Sequence, residues 1–210
     1  MTYSIKEIFY TLQGEGIRAG RPSVFCRFTG CNLWSGRVED RATALCNFCD
    51  TDFLGTDGTL GGKFSDAKLL AQTINSLWPT DKSNKYVVLT GGEPLLQVNS
   101  QLIDALHYLH FEIAVETNGT ITVPDGIDWI CVSPKVSTNW VQREGQELKL
   151  IYPQPQLMPS MVEEKGFDYY LLQPMDGANK INNTNKAIEF CKNNPKWRLS
   201  IQTHKLLEIR

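Results

Sequence analysis

The sequence predicts an α/β fold, an incomplete (partial) TIM-type barrel with roughly six parallel core strands and three main helices. Three observations lead there. Short apolar runs rich in Val, Ile, Leu, Phe and Tyr alternate with polar joints along the whole chain. Helical periodicity recurs between them at only three places. The 210 residues also fall short of the ~250 of a full eight-unit barrel. Hydrophobic residues at 41% and charged residues at 21% are ordinary globular values. No repeat or low-complexity linker divides the chain, so residues 1–210 read as one domain.

Strands are expected at Ile5–Tyr10, Val24–Phe28, Tyr86–Leu89, Ile113–Val115, Trp129–Val132, Leu148–Ile151, Tyr169–Leu172 and Leu199–Ile201. The first helix is expected after Ser65 as its cap, with Leu69, Leu70, Thr73, Ile74 and Leu77 on one face and Pro79 stopping it. The second starts near Asn99 or Ser100 and carries Leu102, Ile103, Leu106 and Leu109. The third runs near Thr184 to Lys192, carries Ala187, Ile188 and Cys191, and ends before Pro195.

Composition excludes several functions. A net charge of −2 provides no basic footprint for nucleic acid. No run approaches the ~18 apolar residues of a membrane span. Met1–Tyr10 carries Lys6 and Glu7 and no long apolar stretch, so no export signal is expected and the cytoplasm is the default compartment. Its reducing thiol pool leaves the six cysteines as free thiols or metal ligands.

Polar clusters follow the expected strands directly: Thr90–Pro94, Glu116–Gly119, Ser133–Lys135, Gln173–Asp176 and Gln202–Lys205. Parallel α/β folds bind ligands at the carboxyl ends of their strands. Any one joint reads as an ordinary turn; together they point to one cavity.

The most specific signal is Cys31-x14-Cys46-x2-Cys49. Thiolates suit zinc or an iron–sulfur cluster. A structural zinc usually takes four protein ligands, whereas a four-iron cluster on three cysteines keeps one iron open. Cys26 is the obvious fourth candidate. Strand alternation puts it with Val24 and Phe28, opposite Arg27, so if Arg27 faces the site Cys26 faces an apolar layer. Cys131 and Cys191 also lie in apolar settings, where a thiol behaves as a small hydrophobe. The three-cysteine cluster is the favoured reading.

Three cysteines followed by Gly91-Gly92-Glu93-Pro94 resemble the radical S-adenosylmethionine superfamily. The usual spacing there is Cys-x3-Cys-x2-Cys; here the first gap holds fourteen residues, an expanded cluster-binding loop at about 30–63. That expansion, with Thr-Leu-Gln-Gly-Glu-Gly at Thr11–Gly16, Cys-Asn-Leu-Trp at Cys31–Trp34, Cys-Asp-Thr-Asp at Cys49–Asp52 and Thr-Gly-Gly-Glu-Pro at Thr90–Pro94, resembles the 7-carboxy-7-deazaguanine synthase family. The resemblance implies a carbon–nitrogen lyase with a [4Fe-4S] cluster, S-adenosylmethionine and Mg2+. It would convert 6-carboxy-5,6,7,8-tetrahydropterin to 7-carboxy-7-deazaguanine with loss of ammonia, toward queuosine and related 7-deazapurines. A homodimer and an electron donor such as a flavodoxin-type reductant are implied as partners.

Roles follow from the resemblance residue by residue. Cys31, Cys46 and Cys49 would hold the cluster, and Thr51 would be a Mg2+ ligand. Phe48, Asp50, Gly92, Ser133, Pro134, Lys135, Gln173, Pro174, Met175 and Asp176 would bind S-adenosylmethionine, Gly92 through its backbone. Leu12, Gln13, Gly14, Glu15, Arg27, Thr90 and His204 would hold the pterin, with a carboxylate of Glu15 or Glu116 answering its paired N–H donors. The backbone carboxylate of Arg210 would also reach the substrate, although an arginine there departs from the small or apolar residue expected. Glu116 and Asn118 otherwise have no fixed role. A radical activase acting on a partner protein, or a non-catalytic zinc-binding module, are the alternatives.

Overall fold

The computed structural model describes residues 2–80, 83–163 and 166–210. The strands are β1 Tyr3–Leu12, β2 Pro22–Phe28, β3 Gly62–Phe64, β4 Tyr86–Gly91, β5 Glu112–Thr117, β6 Trp129–Val132, β7 Gly145–Tyr152, β8 Phe167–Pro174 and β9 Trp197–Leu199. The helices are α1 Ala67–Ser76, α2 Ser100–Tyr108, α3 Lys180–Asn193 and a short α4 at Thr203–Leu207. All the strands join one open nine-stranded sheet, ordered β3-β1-β2-β4-β5-β6-β7-β8-β9. Every neighbouring pair from β2 to β9 is parallel. β1 runs antiparallel to both β2 and β3. The result is an incomplete barrel.

The departures from expectation have local causes. The cap of α1 is Asp66, not Ser65: its carboxylate accepts from Leu69 N at 2.9 Å. Leu69 is exposed while Ala67, Leu70, Ala71 and Ile74 are buried, which turns the helix slightly from the expected face. Asn99 caps α2 through Leu102 N. α3 starts before Thr184, because the one apolar residue of its first turn, Ile181, is exposed and leaves no inward periodicity; Asn183 is buried there, donating to Met175 O at 2.9 Å. β9 lies two residues earlier than Leu199–Ile201, beginning at the buried Trp197. β3 and α4 span three and five residues, too short to leave a periodic trace.

Strand alternation divides the sheet into two faces. The outer face packs Val24, Cys26, Phe28, Val87, Leu89, Ile113 and Val115 with Leu70, Ile74, Leu102 and Leu106 of the helices. A second cluster gathers Leu148, Leu150, Tyr170, Leu172 and Trp197 around Ala187 of α3. The inner face is polar. Register pairs Arg27 with Thr90, Glu116 with Cys131, Cys131 with Glu147, and Ile151 with Gln173. Most side chains of this inward row border one cavity.

Candidate active site

A cavity of about 350 Å³ opens at the carboxyl ends of the parallel strands. Of the residues given a cluster, Mg2+, cofactor or substrate role from the sequence, all except Pro134 line it. Pro134 lies behind the wall, where its carbonyl accepts from Gln154. Cys26 is fully buried in the outer core and does not line the cavity.

The loop after β2 is shaped to bring cysteines to the mouth. The Cys31 sulfur accepts from Leu33 N at 3.4 Å, and Cys46 N donates to Leu33 O at 3.5 Å. Trp34 packs edge-on against Phe53 with centroids 5.5 Å apart. Arg41 lies over the Trp34 ring and donates to the carbonyls of Asn47 and Cys49. None of the three cysteines is in a disulfide. Cys46 hydrogen-bonds to Cys49, which raises Cys46 and lowers Cys49. Burial raises the Cys31 thiol. Burial pulls the Lys135 ammonium down, and the nearby Cys46 and Cys49 partly restore it.

Among the described residues no three His, Cys, Asp or Glu side chains converge on a single ion. A structural zinc would gather its ligands ~2.0–2.3 Å from one point, whereas an iron–sulfur cluster spreads its thiolates over several irons. Three thiols in one loop, with Cys26 turned into the outer core, are a donor set that suits a four-iron cluster keeping one iron open. Gly92 packs directly on this loop. A Cβ there would lie 2.0 Å from Gly30 O and 2.9 Å from Cys31 Cβ, so the chain approaches Cys31 as only glycine allows.

The Gly-Gly-Glu-Pro carboxylate has a framing role. Glu93 is fully buried and accepts from Asn118 N, Thr117 Oγ1 and Leu95 N at 2.8, 2.9 and 3.0 Å. Burial raises its pKa against these donors. Asn118 in turn donates to Asn32 at 2.9 Å, and Asn32 to Thr120 at 2.7 Å. The end of β4, the end of β5 and the cysteine loop are thereby fastened together.

Deeper in the cavity, Lys149 pairs with Glu15 and stands 3.6 Å from Glu116. Burial would raise the Glu15 carboxyl, but Lys149 outweighs it and holds Glu15 down at about 2. Burial would lower the Lys149 ammonium, and Glu116 with Glu15 drives it well above its usual value instead. Glu116 also accepts from Gln13 and Thr90, each at 3.2 Å. Gln13 orders the next turn by accepting from Glu15 N at 3.0 Å. Arg27 donates from Nε to Glu7 at 2.9 Å.

The last segment of the chain covers one side of the mouth. Thr203 donates twice to Gly14 O at 2.8 Å. Gln202 donates to Glu15 and Asp50, and Lys205 pairs with Asp50 and Asp176 at 2.6 Å each. His204 packs on Gly14, where a Cβ would lie 2.2 Å from Nδ1. Burial lowers the His204 pKa, favouring a neutral ring. Thr11 Oγ1 donates to the Arg210 backbone oxygen at 2.6 Å, at the cavity wall.

Sequence reasoning missed Lys149 and Glu7, which also line the cavity. The signal for Lys149 was present: a lysine between Leu148 and Leu150 in an apolar strand, the same anomaly that singled out Arg27.

No family model matches the chain. Curated relatives do. It is 62% identical to the 7-carboxy-7-deazaguanine synthase of Bradyrhizobium diazoefficiens and 58% identical to that of Caulobacter vibrioides, with both chains covered over 100% of their length. Identity to the synthase of Neisseria meningitidis is 32%, over 97% of this chain and 92% of the relative. The crystal structure of QueE from Escherichia coli superposes with a TM-score of 0.71 at 27% identity, covering 97% of this chain and 95% of that one. With full-length relatives at this identity and the matching open barrel, the chain belongs to the 7-carboxy-7-deazaguanine synthase family.

Proposed function

We propose that this chain is a radical S-adenosylmethionine lyase that converts 6-carboxy-5,6,7,8-tetrahydropterin to 7-carboxy-7-deazaguanine and ammonia. One observation carries the reading: three cysteines outside any disulfide and the polar ends of the parallel strands border the same cavity. Cys31, Cys46 and Cys49 would hold a [4Fe-4S] cluster; Cys26 faces the outer core, and Cys131, which does line the cavity, sits on β6 beside Glu116 rather than in the cysteine loop. When bound, cluster and S-adenosylmethionine would supply the radical chemistry that the side chains lack.

The protein's part is placement. Gly92 offers backbone to the methionine amine, and Phe48, Asp50, Ser133, Lys135 and Gln173–Asp176 wall the cofactor's side of the cavity. Asp50 is also tied to the last segment through Lys205 and Gln202. Thr51, beside it, is the hydroxyl proposed for Mg2+, which commonly takes few protein ligands and keeps several waters. On the substrate side, Lys149 keeps Glu15 ionised, so a carboxylate acceptor stands ready for an amino group and ring N–H. Arg27 offers a guanidinium fork to the substrate carboxylate. The segment carrying His204 closes against Gly14 and sheds water from that side.

A homodimer, a flavodoxin-type electron donor and a cytoplasmic setting belong to this reading. Among the described residues no helix is long and apolar enough to cross a membrane. The test is anaerobic reconstitution with iron and sulfide, followed by turnover with S-adenosylmethionine, a one-electron reductant, Mg2+ and the tetrahydropterin. Product formation is expected. A reconstituted protein that cleaves S-adenosylmethionine but never contracts the pterin ring would refute the substrate assignment.

A further inference from the structure

Glu7 reaches the cavity only because β1 is irregular. Strict alternation would put Glu7 on the same face as Ile5, which is fully buried in the outer core. The β1–β2 register shifts between Ile5 and Glu7, so Glu7 turns inward, opposite Arg27, while Ile8 returns to the core. Bulges beside active sites re-aim side chains in this way. The inward Glu7 carboxylate is bridged by two guanidinium groups. Arg27 Nε donates to Oε1 at 2.9 Å, and the Arg210 side chain donates to Oε2 at 2.6 Å. Arg210 is held on two further sides: it donates to Thr59 Oγ1 at 2.8 Å and lies 4.8 Å over the Phe9 ring.

We propose that Arg210 is a positioning residue that acts through Glu7 on Arg27, so that docking of the last segment prepares the cavity's carboxylate receptor. The inference rests on the reading of Arg27 as the group that meets the substrate carboxylate. Geometry and charge support the relay. Arg27 and Glu7 have side chains 19% and 16% exposed, so their pairing is sheltered; that of Arg210 is 54% exposed and acts at the rim. A guanidinium has five N–H donors, and the Glu7 contact uses Nε alone, leaving the terminal fork for a planar anion. Glu7 neutralises one of the two guanidinium charges, so the trio retains one positive charge for a carboxylate. A buried guanidinium with a single anchor pivots about it. With Oε2 clamped by Arg210, the Glu7 carboxylate plane is fixed and the orientation of Arg27 with it. Because Arg210 belongs to the segment that carries His204, the receptor and the cover assemble together.

The test uses cluster-reconstituted protein under anaerobic conditions and two fluorescent probes, 6-carboxypterin and unsubstituted pterin, which differ by the carboxylate. Arg210→Ala should weaken 6-carboxypterin up to about fivefold, the range of an exposed ion pair, and leave pterin unchanged. Hydrogen exchange at Ile209 N, which donates to His204 O, should quicken. In a Glu7→Gln background Arg210→Ala should add nothing further to the loss of 6-carboxypterin binding, because the relay is already cut. Equal weakening of both probes, no change, or additive effects in the double variant would each overturn the relay. Arg27→Gln tests the underlying reading separately: if it fails to discriminate between the probes, Arg27 does not meet the carboxylate, whatever Arg210 does.

Discussion

Replacing Lys149 by methionine removes the cation on which two cavity carboxylates depend. The Lys149 side chain is only 6% exposed, and methionine matches its stem. Its contribution can be worked in two ways. Glu15 sits at about 2 against 4.5 for a free side chain; at ~1.4 kcal/mol per unit that is about 3 kcal/mol of stability. At an effective dielectric of ~20, the 3.6 Å approach to Glu116 adds about 5 kcal/mol of attraction. Much of that offsets the cost of burying the ammonium. Breaking such a buried group on one side typically costs ~3–5 kcal/mol, and that is the expected loss at pH 7.5. The pH dependence has a definite sign. In the intact chain the depressed Glu15 carboxyl contributes stability above about 4.5, and this is lost as pH falls toward about 2. Without Lys149, burial raises the same carboxyl, so the variant is penalised while the group is charged and relieved as it protonates. Urea unfolding at pH 7.5 and pH 5 should therefore show the gap between the two proteins narrowing on acidification. A second substitution, Glu15→Gln, should recover part of the loss. A cost below ~1 kcal/mol, or a gap that does not change with pH, would refute the account.

Further outcomes are expected around the cysteine loop. Cys26→Ala should keep the iron content of the reconstituted protein, and Cys46→Ala should lose it; equal loss in both would revive a four-thiolate site. Gly92→Ala should push the chain away from Cys31, costing ~1–3 kcal/mol in thermal unfolding and lowering retained iron, because its Cβ would meet Gly30 O at 2.0 Å. Glu93→Gln sets an amide where three donors expect a carboxylate and should cost ~1–3 kcal/mol in the same melt, with the hydrogen exchange of Asn118 N accelerated. Thr51→Ala should weaken the stimulation of turnover by Mg2+ while leaving the visible absorption of the cluster intact.

Much of this architecture is written locally. Apolar runs such as Tyr86–Leu89 and Tyr169–Leu172 announced buried strands, and the polar residues after them announced where ligands approach. Arg27 stood out because a charge amid Val24, Phe25 and Phe28 needs a reason to be there. What stayed hidden depends on partners distant in sequence. Lys149 is explained by Glu15, 134 positions away, and Glu7 by Arg210, 203 positions away. The inward turn of Glu7 rests on a register shift that alternation alone contradicts. Likewise Asp66 and Ser65 are both acceptable caps by type, and only the path of the backbone selects between them.

The inner face of the sheet has a consequence for how long the molecule survives. Its outer face is sealed by methyl groups and aromatic rings, but its inner row carries the polar side chains of Arg27, Thr90, Glu116 and Lys149 around an open cavity. Folding therefore completes one hydrophobic layer and leaves the other to whatever enters the cavity. Any ligand that binds the folded chain alone adds stability by mass action, about 2.7 kcal/mol at a hundredfold excess over its dissociation constant. The lifetime of this protein in a cell is then a gauge of its supplies: scarcity of ligands leaves the same chain more often open to proteases, and abundance protects it.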